Sequence, residues 1–397
     1  VSVVFQEGVL SDIARVTMGQ SPKKEFVSST QEGLPLLNGP TEFGSSHPTP
    51  VQWSTSFSKT AEPGDILFCV RGSTTGRMNW ADQQYAIGRG IASISAINPQ
   101  ERHFVRAAID LVLPELLAAA TGSTFPNVSR LQLSELPVAL PSAAVRTEIS
   151  GLLGALDDKI ESNLRVRNLC RDLGGNLVAD TVRSAPSTQL EHYTASISRG
   201  VTPQYYKDED ASPVLVLNQK CIRDGWVTPE LARLMTPRAR EKSQAIARLD
   251  DLLVNSTGQG TLGRLARWDS DDPIYVDSHV TVVKADPRRI YPVLMPYLVF
   301  PLQDEIEHMA TGSTGQTELS PSRLAQLNVP LLSLEEQRPL SARLVALEAQ
   351  AHYCQVQSLK LTELRDALLP ELMSGRMRVD EAGCLVSEAL DEEVADV

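Results

Sequence analysis

The sequence predicts an α+β protein made of two repeated α/β domains, separated and followed by long helices that pair as an antiparallel coiled coil with pseudo-twofold symmetry. Three observations carry this. In the middle of the chain Ile149, Leu153, Leu156, Ile160 and Leu164 recur at steps of three or four, one apolar stripe on a long helix. A second stripe of the same kind follows near the C-terminus, through Leu340, Leu344, Leu347, Ala351, Cys354, Leu361, Leu364 and Leu368. The two lie at a constant offset: Ile149-Ser150, Leu153 and Ala155-Leu156 match Leu340-Ser341, Leu344 and Ala346-Leu347 at 191 residues. Leu133, Leu136, Val138, Leu140 and Ser142 match Leu324, Leu327, Val329, Leu331 and Ser333 at the same spacing. Ala120-Thr121-Gly122-Ser123-Thr124 returns as Ala310-Thr311-Gly312-Ser313-Thr314, and Gly64-Asp65-Ile66-Leu67-Phe68 lines up with Asp250-Asp251-Leu252-Leu253-Val254. A period this long is a duplicated domain-plus-helix, not a solenoid.

Taken in order, residues 1–142 read as the first domain, strand-rich, with apolar runs at Leu34–Leu37, Ile66–Val70 and Ile91–Ile97 between Gly, Pro, Ser and Thr loops. Phe104–Ala120 is its clear helix, with Pro114 a possible kink. Residues 143–186 hold the central helix and a linker; Pro141-Ser142 starts the helix and Gly174-Gly175 is the expected exit. The second domain, 187–333, repeats the plan with strands at Val214–Leu217, Leu252–Val254 and Val280–Val283 and a helix over Val293–Met309. The second long helix, 334–379, opens on Glu335 and Glu336, where the helix dipole favours acids. Each stripe could be the core face of its own domain. At about thirty residues, well beyond an ordinary helix of about eleven or twelve, each fits better against the other, with Leu153, Leu156, Ile160, Leu344, Leu347 and Leu361 at the seam.

Composition narrows the class. Hydrophobic content of 42% is that of an ordinary soluble protein, and no apolar run is long enough to span a membrane. No secretory signal is visible, and Val1 in place of methionine suggests a trimmed or non-AUG start. Five scattered cysteines without a CxxC fit a reducing cytoplasm and argue against structural zinc. The net charge of −12 weighs against a stand-alone nucleic-acid binder. Seven acids without a basic residue lie in 380–397, an acidic tail expected to be disordered, so the remainder carries −5 and any DNA contact rests on local basic clusters.

Enzymatic machinery is not evident. Gly258, Gly260 and Gly263 form a GxGxxG, but too little helix-forming sequence follows to receive a pyrophosphate. The six histidines lack ligand spacing, and no Walker A, nucleophile elbow, HExxH or amino-methyltransferase Asn/Asp-Pro-Pro-Tyr loop occurs. Two glycine-rich loops at equivalent places in the repeat stand out instead. Arg71, Ser73, Thr74 and Arg77 populate the first; Ser256, Thr257, Gln259 and Arg264 populate the second, and Asn218, Gln219, Lys220 and Arg223 make a weaker cluster of the same type. Arg can fork to guanine, Asn and Gln can pair with adenine, and hydroxyls suit phosphates. A solvated glycine turn is the alternative at either loop alone.

The order of strand-rich domain, Thr-Gly-Ser-Thr, Leu-x-x-Leu-x-Val-x-Leu and long helix, all repeated, resembles the specificity subunit of type I restriction-modification systems. Leu368-Leu369-Pro370-Glu371-Leu372-Met373-Ser374-Gly375-Arg376-Met377-Arg378-Val379 is similar to that family's C-terminal segment, and Glu335-Glu336-Gln337-Arg338 looks like its acidic-Gln signature. The first copy departs from the signature with Ala144-Val145-Arg146. The resemblance spans residues 8–379. It implies two target-recognition domains, each reading half of a bipartite, asymmetric site on double-stranded DNA, with the helices setting the gap. It also implies two methyltransferase subunits that bring S-adenosylmethionine and modify adenine at N6, and endonuclease subunits that bring ATP and Mg. The chain itself would then be non-catalytic and bind no cofactor directly. A helix of about thirty residues, at about 1.5 Å per residue, would set a gap of roughly six to nine base pairs. A related type II-like or phage-exclusion methylation system, or a coiled-coil scaffold for proteins, are the other readings.

Overall fold

The computed structural model describes residues 4–120, 127–206, 213–236, 243–310 and 318–395. The chain divides into two compact units, one built of residues 1–164 with 356–397 and the other of 165–355. Its α-helices are α1 (Arg102–Ala120), α2 (Arg130–Ser134), α3 (Ala143–Val182), α4 (Leu294–Val299), α5 (Gln303–Met309), α6 (Pro321–Ala325), α7 (Leu334–Ser374) and α8 (Val379–Ala395).

In the first unit a four-stranded antiparallel sheet runs in the order Ala14–Met18, Ile91–Ala96, Ile66–Cys69, Met78–Trp80. A mixed sheet lies beside it, in which Leu34–Leu37 pairs in parallel with Tyr85–Ile87. The run Ile66–Cys69 is apolar throughout because both of its faces are covered. Ile66 and Phe68 enter the core beneath α1 and the long helices, while Leu67 and Cys69 enter a second core with Leu37, Tyr85 and Ile87. Each fully buried Leu, Ile or Phe of this kind contributes about 1.5–3 kcal/mol.

The second unit repeats that topology. Its antiparallel sheet runs Thr194–Arg199, Val280–Ala285, Leu252–Asn255, Leu265–Arg267, and Val214–Leu217 pairs in parallel with Ile274–Val276. Leu252 and Val254 face one core and Leu253 the other, the same alternation as in the first unit.

Within each unit the long helices run side by side. In the first, Ile149 and Leu153 of α3 share a core with Leu368 and Leu372 of α7, and Asn163 meets Gln357, so one helix ascends as the other descends. In the second, Val178 packs with Leu340 and Leu344. Of the six seam residues, Leu153, Leu156, Leu344 and Leu361 are buried, while Ile160 and Leu347 are half-buried.

Several expectations change. The central helix does not end at Gly174-Gly175; α3 continues to Val182 and has 40 residues, with 41 in α7, so the thirty-residue premise of the gap estimate is too short. A Cβ at Gly174 would lie 2.7 Å from the Tyr297 ring, so glycine there serves close packing and not helix termination. The acidic tail is not a disordered coil: α8 docks Ala382 and Val386 on the first unit's core. The helix expected over Val293–Met309 is broken at Phe300-Pro301-Leu302, where proline starts a short 3-10 turn. The Thr-Gly-Ser-Thr segments at 121–124 and 311–314 lie outside the described residues.

Candidate nucleic-acid interface

The two glycine-rich loops join equivalent strand pairs. Residues 70–77 connect Ile66–Cys69 to Met78–Trp80, and 256–264 connect Leu252–Asn255 to Leu265–Arg267. The GxGxxG therefore leads into a strand, not a helix, and offers no helix N-terminus to a phosphate.

In the first unit Arg71, Ser73 and Thr74 are exposed. Arg77 donates to the carbonyls of Pro40 and Phe43, at 3.2 and 2.8 Å, with its guanidinium carbon 5.9 Å from the Phe43 ring centroid. Its guanidinium thereby ties this loop to the loop that follows Leu34–Leu37. In the second unit Asn255 does the corresponding work, its Nδ2 donating to the Gln219 carbonyl at 2.9 Å. The Asn218–Lys220 cluster and the 256–264 loop thus form one surface. Lys220 and Gln259 are exposed on it.

Two sequence candidates have other work. Ser256 is fully buried, hydrogen-bonded to the Val254 carbonyl and the Thr281 hydroxyl. Asn218 is buried, its Oδ1 accepting from the Lys220 amide at 2.9 Å and its Nδ2 donating to the Leu231 carbonyl. They hold the loops and present nothing outward. Arg264 donates to the Gly260 carbonyl at 2.8 Å, and Thr257 Oγ1 lies 2.7 Å from His279 Nδ1.

Further segments complete each surface. In the first unit the Gly88-Arg89-Gly90 turn is bonded to both loops, Gly88 donating to the Leu37 carbonyl at 2.8 Å and the Gly90 carbonyl accepting from Val70 at 2.9 Å. The segment after Met18 joins them through Gly19 to the Ile91 carbonyl and Arg89 to Ser21 Oγ, and brings exposed Lys23 and Lys24. In the second unit Asp277-Ser278-His279 makes the same bonds: Asp277 to Leu217 at 2.9 Å and Ser256 to His279 at 2.8 Å. Lys23, Lys24, Arg89 and His279 escaped the sequence reading because the equivalent turns share hydrogen bonds and not residue types.

Behind the second surface, Trp226 at the end of a tight turn is sandwiched by Arg167 and Arg171 of α3, whose guanidinium carbons lie 3.5 and 3.2 Å from the ring centroid. Asp224 and Gly225 both take positive φ there, as a two-residue hairpin turn requires. Burial pushes both arginines down to about 10, against the pull of Asp269 on Arg167 and of Glu348 on Arg171. Arg267 pairs with Glu348 at 3.0 Å, and Glu348 accepts from Tyr297 at 2.6 Å; burial and the adjacent carboxylate push the Tyr297 hydroxyl well above its ordinary value.

The helix starts explain the departure in the family signature. Gln337 is buried and bonds the Tyr291 amide and the Arg289 and Leu332 carbonyls, while Arg146, at the matching place, pairs with buried Glu101 at 2.7 Å. Both side chains staple a long helix to its own unit. Among the described residues no group of three or more His, Cys, Asp or Glu could hold a metal, and no helix is long and apolar enough to cross a membrane.

Two topologically equivalent units each present a different set of exposed side chains on matching loops. Residues 3–168 match the family model described as the type I restriction modification DNA specificity domain. Over 148 residues the chain is 31% identical to a protein of Methanocaldococcus jannaschii ascribed as the specificity subunit of the type I restriction enzyme MjaX. That match covers 37% of this chain and 35% of the other, so the chain spans about a third of the length of this curated relative. The crystal structure of the S subunit of the type I restriction-modification system from M. genitalium is similar in fold, with a TM-score of 0.57 and 17% identity over 93% of this chain and 96% of that one.

Proposed function

We propose that this chain is the non-catalytic DNA-recognition subunit of a type I restriction-modification complex, each unit reading one half of a bipartite, asymmetric site. The observation that carries this reading is the paired loop surface. The same loops, locked by the same backbone hydrogen bonds, recur in both units with different exposed side chains, Arg71 and Arg89 in one and Lys220, Gln259 and His279 in the other. A scaffold repeated with its tips changed is what reading two different sequences requires. Exposed Lys23, Lys24, Arg71 and Arg89 supply local positive charge in a chain of net −12. The long helices set the gap between half-sites and dock two methyltransferase subunits. S-adenosylmethionine belongs to those partners, and ATP and Mg to the endonuclease subunits that join for cleavage.

The test is a binding selection. The chain, purified with the methyltransferase co-expressed from the same operon, is offered duplexes with a randomised core, and bound sequences are read out at two salt concentrations. Two unlike short motifs at a fixed separation are expected. Binding without enrichment, or none even at low salt, would contradict the reading.

A further inference from the structure

We propose that the turn between the parallel-paired strand and the central antiparallel strand of each unit is a specificity-determining position, with Arg89 reading a base in one half-site and His279 in the other. This rests on the DNA-recognition reading and goes further by naming the side chains that discriminate.

The geometry of the turn is the argument. Residues 88–91 and 277–280 close the same β-turn, with the Gly88 carbonyl accepting from Ile91 at 3.0 Å and the Asp277 carbonyl from Val280 at 3.1 Å. Each turn is anchored on two sides, by its first amide to the loop strand at Leu37 or Leu217 and by its third carbonyl to the start of the glycine-rich loop at Val70 or Ser256. In the first unit the anchoring is steric as well. A Cβ at Gly88 would lie 2.2 Å from Asn38 Oδ1, and one at Gly90 would lie 2.2 Å from the Asn38 carbonyl. The backbone is wedged in place while the Arg89 side chain is exposed. In the second unit Asp277 is buried and its Oδ1 accepts from the His279 amide at 2.9 Å, and Thr257 Oγ1 meets the ring at Nδ1. That contact orients the exposed imidazole and leaves Nε2 as its outward edge.

A side chain on a fixed backbone gives up less freedom on binding than one on a mobile loop, which is the condition for discriminating bases and not merely attracting phosphates. A guanidinium presents a fork matched to guanine O6 and N7, and an imidazole presents a single donor or acceptor. Arg89 is the second residue of its turn and His279 the third of its own, so the two half-sites should differ both in the base read and in where the reading side chain stands. An ordinary exposed arginine on a turn is a solvated charge. What sets these two apart is that turns with no residue type in common keep the same anchors and both place a side chain able to bond a base edge at the tip.

The experiment uses the complex with its methyltransferase and the randomised duplexes described above, comparing wild type with Arg89→Ala, Arg89→Lys, His279→Ala and His279→Asn. Arg89→Ala is expected to relax one position of one half-site by about tenfold or more and to leave the other half-site intact; His279→Ala should do the converse. Arg89→Lys, which keeps the charge but loses the fork, should not restore the preference. Because both side chains are exposed, the variants should unfold at the wild-type temperature. If Arg89→Ala weakens binding to all sequences alike, with a salt slope lower by about one, the residue contacts a phosphate and the proposal fails. Unchanged motifs in both alanine variants overturn it as well. A wild-type complex that enriches no sequence overturns the underlying DNA-recognition reading and this inference together, whereas a selective wild type with unaffected variants overturns this inference alone.

Discussion

Asn163 and Gln357 face each other between the two long helices of the first unit, Nδ2 donating to Oε1 at 2.9 Å, with both side chains buried. An apolar seam tolerates sliding by a turn, whereas a buried amide pair has one register in which both groups are satisfied. Replacing Asn163 alone by Leu takes the donor from the buried Gln357 Oε1 and should cost about 1–3 kcal/mol. The double change Asn163→Leu with Gln357→Leu should recover most of that stability. Denaturant unfolding of the four proteins of the cycle measures the coupling.

Gly174 and Gly175 are adjacent in α3 and should respond in opposite ways. Nothing lies within 4 Å of a Cβ at Gly175, so Gly175→Ala should stabilise by about 0.8–1 kcal/mol from helix propensity alone. At Gly174 the new methyl would press on the Tyr297 ring at 2.7–2.9 Å, and Gly174→Ala should destabilise by about 1–3 kcal/mol. Thermal unfolding of both variants checks the sign at each site. Equal stabilisation would mean that Tyr297 does not pack on α3.

Trp226→Ala removes the ring between Arg167 and Arg171 and leaves two largely buried guanidinium groups facing each other. The half-buried indole should cost about 2–3 kcal/mol, below the roughly 3–5 of a fully enclosed aromatic. Chemical denaturation should report this loss, and Trp226→Phe should recover part of it because the ring face is retained.

Asp157 lies beside His103 at 3.3 Å and Arg365 at 2.9 Å. Burial alone would raise its carboxyl, but the hydrogen bonds from His103 and Arg365 outweigh that and hold it below the ordinary value of 3.8. A carboxyl depressed in the folded state adds stability above its unfolded pKa and loses it as pH falls through the folded one. Unfolding free energy measured from about pH 5 down to about pH 2 should therefore fall more steeply in wild type than in Asp157→Asn.

Much of this architecture was legible in the sequence because it rests on periodicity. The strands covered on both faces read as unbroken apolar runs at Ile66–Cys69 and Leu252–Val254, and the long helices as stripes at a constant offset. What stayed hidden depends on contacts between residues far apart. Gly174 looks like a helix end by propensity and is a helix interior because Tyr297 needs the space. The acidic tail has the composition of disorder, yet α8 has Ala382 and Val386 to set against the core. At the surfaces, Ser256 and Asn218 have the chemistry of base readers but are consumed by the fold. Arg89 and His279 are dissimilar residues in dissimilar local sequences, second in one turn and third in the other, and only the shared turn brings both to the same kind of tip.

The most direct test of the account is to express the chain with the methyltransferase proposed as its partner in a host without other adenine methylation and map modified adenines along the genome by single-molecule sequencing. The account expects methylation confined to one asymmetric motif of two unlike halves at a fixed gap, lost when this chain is omitted. Methylation that persists without the chain, or that falls on a single uninterrupted motif, would contradict it.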